Sequence, residues 1–245
     1  MTAGRPRIPH PYSVDDLSGK HRCKTPLQNE LGLEADPDAP VIAYISRLTE
    51  QKMADVLPKI GPAIANEGAQ LAVCGEGDRS IEQTLRTLEA RFPGRIAVRI
   101  GYEETLARRV LAGTDMLAAP ALFEPCGLTQ MYTMRFGTIP TVRKVGGLAD
   151  TVIGYQEHTQ CEATGFVFQK PTAPALVDAI ERACGNFREP VAWRAMQTRA
   201  MRQDFRWRRP AERYLGLYAG LAGRDEDDLA PQEESAPPAL RLTGT

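Results

Sequence analysis

Histidine is scarce in this 245-residue chain, and long apolar runs are missing. The three histidines, at positions 10, 21 and 158, lack the spacing of metal ligands, so neither a metal nor another cofactor is expected. No stretch approaches the roughly 20 apolar residues that cross a membrane, and the first residues lack the apolar run of a secretory signal. The formal net charge of -1 argues against a polyanion. We therefore expect neither a membrane nor a nucleic acid as partner.

The five cysteines form no C-x-x-C pair, and their number is odd. A disulfide framework or a zinc site is therefore not expected, and reduced thiols in the cytoplasm are the simple interpretation. Cys126 is a candidate nucleophile, but no histidine lies near it in sequence. We therefore expect Cys126 to be a buried, inert thiol.

Six apolar segments separated by helical segments predict a parallel α/β sheet built from right-handed βαβ units. The predicted strands are 41–46, 70–75, 95–100, 115–120, 139–143 and 165–168. Three more helices are expected at 173–185, 190–202 and 207–221. The fold class predicted is α/β, with a single Rossmann-like, doubly wound parallel sheet. Its domain is expected to span residues 20–222, between an N-terminal arm or linker (1–19) and a disordered acidic tail (223–245).

Ligands of such sheets lie beyond the carboxyl ends of the strands. Arg47 and Lys52 follow the first strand, where two cations beside a helix N-terminus suit a diphosphate, although surface cations are common. Gly75 and Gly77 follow the second strand and either let the backbone approach a ligand or make a turn. The third glycine of a dinucleotide fingerprint is missing, which argues against a dehydrogenase.

The segment 123–140 follows the fourth strand and carries the strongest signal. Glu124 could accept hydrogen bonds from sugar hydroxyls, and Gly127 is expected to open a helix whose free N–H groups face the same crevice. Alternatively, Glu124 is only an acid at a helix terminus. The Gly-Gly pair in 143–152 either lets the chain pass close to a ligand or reverses it.

Taken together, these segments resemble the bacterial glycogen (starch) synthases. The resemblance rests on SRLTEQK, GEGD, GY, FEPCGLTQ, GTIP, GGLADTV and ATGFVF in this order, and it covers about residues 12–220. Even YSVDDLSGK and LQNELGL, early in the chain, resemble the family's linker between two domains. The resemblance implies the C-terminal half of a GT-B glycosyltransferase, in which two Rossmann-like domains face each other across a cleft. It implies that the N-terminal domain lies outside these 245 residues.

The activity implied by the resemblance is transfer of glucose from ADP-glucose to the non-reducing end of an α-1,4-glucan such as glycogen. Configuration is retained, and no metal takes part. Arg47 and Lys52 would bind the diphosphate and stabilise the departing ADP, while Glu124 would lie beside the donor glucose. The partners implied are therefore ADP-glucose, the glucan and an N-terminal synthase half.

The resemblance also implies a set of substrate-binding residues. Backbone N–H groups of Cys126, Gly127 and Leu128 would contact sugar and phosphate, and Thr129 would add a phosphate contact. Tyr102, in the GY pair, would lie against the adenine. An alternative from another class is a non-catalytic fragment that binds nucleotide sugar or docks to a separate N-terminal half.

Several positions depart from the family's pattern. Glycine usually follows QK, but Met53 stands there, and the next helix carries Pro58 and Pro62. Ala121-Leu122 replaces Ser-Arg before FEP, and Arg108 replaces a histidine. An interior proline costs roughly 3 kcal/mol unless the helix bends or restarts.

Overall fold

Six parallel strands form the centre of the computed structural model, which describes residues 8–222. They are β1 (Val41–Ile45), β2 (Gln70–Gly75), β3 (Ile96–Ile100), β4 (Met116–Ala119), β5 (Ile139–Arg143) and β6 (Phe166–Phe168). Their order in the sheet is β3-β2-β1-β4-β5-β6, with every pairing parallel. This is the order of the doubly wound Rossmann fold, so the predicted fold class is confirmed.

Helices connect and follow the strands. They are α1 (Ser18–Leu31), α2 (Leu57–Asn66), α3 (Arg79–Arg91), α4 (Glu104–Gly113), α5 (Thr129–Arg135), α6 (Gly146–Thr151), α7 (Ala173–Phe187), α8 (Pro190–Met201) and α9 (Arg208–Ala222). Within the described residues, no helix is long and apolar enough to cross a membrane. These residues form two compact units, 8–203 and 204–222, and α9 belongs to the second. The predicted acidic tail lies outside the described residues, as do residues 1–7.

The core lies on both faces of the sheet. In β1, Ile42 and Tyr44 pack on the face that α2, α3 and α7 cover, whereas Val41 and Ala43 pack on the face beneath α1 and α4. Alternate side chains of a strand point to opposite faces, so a strand buried on both faces reads as one continuous apolar run. That run is why the sequence predicts each strand to within about two residues.

The helical segment after β1 consists of two short 3-10 turns followed by an α-helix. Two 3-10 turns, Glu50–Lys52 and Ala54–Val56, precede α2. Lys52 therefore ends a 3-10 turn, and the helical segment that the sequence predicted beside the two cations begins as 3-10 turns before α2 starts at Leu57. Pro58 falls in the first turn of α2, where its missing N–H is unneeded, and Pro62 lies inside the helix. The restart accommodates the first of the two prolines.

Helix α1 is tied to the domain by two buried lysines. Lys20 Nζ donates to the carbonyl oxygens of Ala112 (3.2 Å) and Thr114 (2.9 Å), at the end of α4, and to Thr138 Oγ1 (2.7 Å). Burial lowers the pKa of Lys20 to about 8. Lys24 pairs with the Asp115 carboxylate at 2.8 Å. The linker-like sequence thus forms an integral helix of this unit.

Candidate functional site

A pocket of about 260 Å³ lies beyond the carboxyl ends of β1 and β4. These strands are neighbours, yet the chain proceeds from β1 to β2 on one side and from β4 to β5 on the other. The crevice between them is therefore the topological switch point, where doubly wound sheets bind their ligands. Tyr44, Lys52, Glu124 and Gln130 are among the side chains that line it.

Lys52 and Glu124 meet inside this pocket as an ion pair. Their side chains are only 16% and 17% exposed, although they lie 72 positions apart in the chain. The structure thus brings together two of the predicted catalytic residues. A lysine in a concave site is a point charge for an anionic ligand, and here the carboxylate of Glu124 neutralises it. Among residues 8–222, no three His, Cys, Asp or Glu side chains are arranged to hold a metal ion.

Arg47 lies exposed on the same loop, at the edge of this site. Its guanidinium donates to Gln51 Oε1 at 3.4 Å. Gln51 in turn contacts the loop after β4, because its carbonyl accepts the Leu122 N–H at 2.8 Å and its amide donates to the Phe123 carbonyl at 3.4 Å. The loops carrying the two cations and Glu124 are therefore joined through Gln51.

Tyr44 fixes the loop that carries both cations. Its ring is 1% exposed, and its hydroxyl lies 3.2 Å from the Arg47 carbonyl and 3.1 Å from the Lys52 carbonyl. Burial raises the pKa of Tyr44, so its hydroxyl keeps the proton that it donates. The sequence reasoning missed Tyr44, although a hydroxyl-bearing residue near the end of an apolar strand was a signal.

Gly75, the last residue of β2, and Gly77, two residues later, let two backbone segments approach each other closely. A Cβ on Gly75 would lie 1.9 Å from the Ser46 carbonyl oxygen, and one on Gly77 would lie 2.4 Å from that of Leu48. Leu48 and Gly77 also form a parallel bridge, which extends the pairing of β1 with β2 beyond the strands. These glycines therefore hold the Arg47 loop in place.

The Gly-Gly pair after β5 has the same purpose on the other side of the pocket. A Cβ on Gly146 would lie 2.1 Å from the Glu124 carbonyl oxygen, and one on Gly147 would lie 1.9 Å from that of Cys126. The Gly147 N–H donates to the Glu124 carbonyl at 3.0 Å. The pair begins α6 and packs it directly on the backbone that carries Glu124.

The helix after Glu124 begins later than expected. Gly127 has a left-handed backbone (φ +70°), and α5 starts at Thr129. The expectation that Gly127 opens the helix is therefore wrong by two residues, because the left-handed residue breaks the helical path. Gly127, Leu128 and Thr129 all line the pocket, and their contact with substrate remains a prediction.

Gln130 is a buried residue at the end of the FEPCGLTQ motif, and no role was predicted for it from the sequence. Its amide Nε2 lies 3.2 Å from the Cys126 carbonyl, 2.9 Å from the Gly127 carbonyl and 3.1 Å from Thr151 Oγ1 in α6. Its Oε1 is buried and has no hydrogen-bond partner. Gln130 thus links the loop after β4 to α6.

Cys126 and Tyr102, unlike the other predicted substrate-binding residues, do not line the pocket. Cys126 is exposed, so the expectation of a buried thiol is wrong. Its backbone carbonyl packs on Gly147, in the loop between β4 and α5, while its side chain stays at the surface. Tyr102 is 72% exposed just after β3, at an edge of the sheet and outside the residues that line the pocket. Contact of Tyr102 with adenine remains a prediction.

Met53, the residue after Lys52, has a left-handed backbone conformation (φ 54°). It is the only non-glycine residue among residues 8–222 with a positive φ. This conformation explains why glycine suits the position, since a Cβ there costs roughly 1–2 kcal/mol. The Met53 side chain is 1% exposed and packs in the main core. Its burial offsets the strain. Arg108, another departure, pairs with Glu104 four residues earlier on α4.

Residues 30–195 match the model of the family described as glycosyl transferases group 1. The chain belongs to this family. The match covers β1 to β6 and every loop that shapes the pocket, so the candidate site lies within the family's domain.

Relatives of this chain include curated glycogen synthases. The chain is 48% identical to the glycogen synthase of Burkholderia thailandensis in an alignment of 240 positions that covers 95% of this chain and 45% of the relative. It is 44% identical to that of Haemophilus influenzae (strain PittGG), over 87% of this chain and 45% of the relative. A solved structure, the catalytic domain of starch synthase IV from Arabidopsis thaliana bound to ADP and acarbose, matches with a TM-score of 0.81 and 30% identity, over 91% of this chain and 46% of that one. The chain therefore spans less than half the length of these relatives.

Proposed function

We propose that this chain is the donor-binding half of an α-1,4-glucan synthase. In the complete enzyme, glucose would pass from ADP-glucose to the non-reducing end of a glucan such as glycogen, with retention of configuration. The observation that carries the proposal is the meeting of Lys52 and Glu124 in a pocket at the switch point of the sheet. Similarity to glycogen synthases at 44–48% identity supports the substrate class.

Each residue of the pocket has a role that its chemistry suits. Lys52, with Arg47 from the rim, would balance the diphosphate charge and stabilise it as ADP departs, which is the usual electrostatic contribution to such transfers. Glu124, released from Lys52, would accept hydrogen bonds from the donor glucose. The N–H groups of residues 126–128 and the Thr129 hydroxyl would hold phosphate and sugar oxygens, and Tyr102 would contact the adenine.

Titration calorimetry with ADP and ADP-glucose tests the donor site. We expect binding by the full chain and at least tenfold weaker binding by Lys52→Met, because a buried cation facing a diphosphate contributes roughly 1.5–3 kcal/mol. Arg47→Ala should weaken binding less, since Arg47 is exposed. Lys59→Met, which removes an exposed cation on α2, is the matched control. Equal heats from wild type and Lys52→Met would refute the assignment.

The second candidate is a nucleotide-sugar-binding module that makes no glucan by itself. The chain's share of its relatives, about 45%, favours it for these 245 residues. GT-B transfer takes place between two domains, and positioning both substrates there can lower a barrier by roughly 7–11 kcal/mol. Radiolabelled glucose transfer to glycogen should therefore appear only when an N-terminal half from a related synthase is added. We place the protein in the cytoplasm, as its five free cysteines suggest.

A further inference from the structure

Arg143 is the last residue of β5, and its side chain contacts the loop between β4 and α5. Residues of β4 and β5 pair in register as far as Ala119 and Val142. Beyond that point, Arg143 Nη1 donates to the carbonyl oxygens of Ala121 at 3.2 Å and Leu122 at 3.1 Å. The Arg143 side chain therefore continues, past the end of the strands, the connection that backbone pairing makes between β4 and β5.

The same stretch of chain also holds the backbone of Glu124. The Gly147 N–H donates to the Glu124 carbonyl at 3.0 Å. Arg143 thus holds the loop just before Glu124, and Gly147 holds it at Glu124 itself. A loop fixed at these points presents the Glu124 side chain in a narrow range of directions, and that side chain meets Lys52 inside the pocket.

Stability alone does not account for an arginine at position 143. The Nε of Arg143 is buried and has no hydrogen-bond partner among the described residues. A buried donor without an acceptor is costly, and most such groups in folded proteins are paired. An apolar side chain would avoid this cost but would lose both contacts with the loop. The cost is explained if the position of the loop matters to the site.

Arg199 makes the same kind of contact away from the pocket. Its guanidinium donates to the carbonyl oxygens of Ala163 at 3.0 Å and Gln160 at 2.9 Å, in the segment between α6 and β6. Both arginines are half-buried, and each holds two loop carbonyls. Arg199 lies on α8, and neither it nor its acceptors line the pocket of Lys52 and Glu124. It is therefore a matched control for what such contacts contribute to stability.

We propose that Arg143 is a positioning residue of the candidate site. By fixing the loop before Glu124, it places that carboxylate opposite Lys52 and, in the complex with the donor, beside the glucose. The placement beside glucose rests on the proposed function. Arg143 is not among the residues that line the pocket, so it acts through Glu124 and not by touching the ligand.

The coupling between Lys52 and Glu124 in the unfolding of the full chain tests the placement of the carboxylate. A double-mutant cycle of Lys52→Met and Glu124→Gln measures this coupling by urea unfolding. The cycle is repeated in the backgrounds Arg143→Met and Arg199→Met. We expect the coupling to fall below half its wild-type value with Arg143→Met and to stay unchanged with Arg199→Met.

A conservative variant separates positioning from packing. Arg143→Lys keeps the charge and a donor, so it should retain more of the coupling than Arg143→Met. Circular dichroism checks that each variant is folded, and Arg143→Gln takes the place of Arg143→Met if the latter is not.

Calorimetry with ADP and ADP-glucose tests the placement beside the donor sugar. Arg143→Met should weaken the binding of ADP-glucose at least fivefold more than that of ADP, because only ADP-glucose carries the glucose that Glu124 is proposed to bind. A merely structural role would weaken both ligands by the same factor. Arg199→Met should leave the ratio of the two Kd values unchanged, and Arg143→Lys should restore most of it.

The outcomes separate this inference from the proposed function. Coupling that Arg143→Met leaves unchanged, or that Arg199→Met lowers equally, overturns the inference whether or not ADP binds. Equal weakening of ADP and ADP-glucose by Arg143→Met overturns it as well. Coupling that depends on Arg143, in a chain that binds neither ligand, supports the positioning of Glu124 and refutes the donor site.

Discussion

Replacing Glu124 by glutamine should tighten the binding of ADP. The Glu124 carboxylate pairs with the Lys52 ammonium inside the pocket. A diphosphate must compete for that ammonium, and it must also approach the carboxylate. Glutamine keeps the size and a hydrogen-bonding oxygen but removes the charge, so both obstacles become smaller.

The size of the effect follows from the exposure of the pair. Two unit charges 4 Å apart attract by about 4 kcal/mol at an effective dielectric constant of about 20. Lys52 and Glu124 are 16% and 17% exposed, so water screens the pair only in part. When the pair breaks, water solvates both charged groups again, and this solvation offsets much of the attraction between them. A net gain of roughly 1–2 kcal/mol remains, which lowers the Kd for ADP by roughly 5- to 30-fold.

Calorimetry on a double-mutant cycle measures this gain. Glu124→Gln should have a much smaller effect in a Lys52→Met background, with a coupling of roughly 1 kcal/mol between the two positions. Glu50→Gln, which removes an exposed carboxylate from the same turn as Lys52, should change the Kd less than twofold. Unchanged or weaker ADP binding by Glu124→Gln would show that the ion pair does not compete with the nucleotide.

Three further predictions concern buried residues of the domain. Tyr44→Phe should lower the free energy of unfolding, measured in urea, by about 1–2 kcal/mol and weaken ADP binding several-fold. The reason is that the loop carrying both cations loses the hydroxyl that holds it. Tyr132→Phe, at an exposed tyrosine, should change neither quantity. Burial raises the pKa of Cys74 and of Cys184 to about 11. The unfolded thiols lose their protons near pH 9, so the folded state holds more protons from about pH 9 to 11 and stability should fall there, less steeply once both are replaced by alanine. Met53→Gly and Met53→Ala should both destabilise the fold, but glycine by about 1 kcal/mol less, because it relieves the left-handed strain; alanine more stable than glycine would contradict this.

The sequence predicted the sheet well because its strands are buried on both faces. An apolar run such as residues 70–75 has no exposed alternate positions, and each run is bounded by glycine, proline or charge. Helix bounds were also close where an amphipathic face was present, as in α7, which spans Ala173–Phe187 where 173–185 was predicted. The switch-point rule then placed Lys52 and Glu124 at one edge of the sheet, although 72 positions separate them in the chain.

Long-range contacts between backbones could not be predicted in this way. Gly75 and Gly147 look like flexible turn residues in sequence, whereas their need for glycine comes from carbonyl oxygens 1.9 Å from where a Cβ would lie. Those oxygens belong to segments some 20–30 residues earlier, on other loops. The burial of Lys20 could not be predicted for the same reason. A lysine is expected to be exposed, and only the folded structure brings three backbone carbonyls and Thr138 to its ammonium.

Met53 shows how such long-range demands override a local rule. Local propensity disfavours a left-handed methionine, and the chain tolerates it because the side chain is buried in the core beneath the pocket. The strain therefore sits next to Lys52, in a loop that Tyr44 and Gln51 hold from two other directions. The backbone of this turn is thus fixed and the ammonium of Lys52 is held by Glu124, so a diphosphate bound as proposed would meet a cation whose position is already set. Preorganised charge of this kind stabilises a departing anion without reorganisation at the moment of transfer.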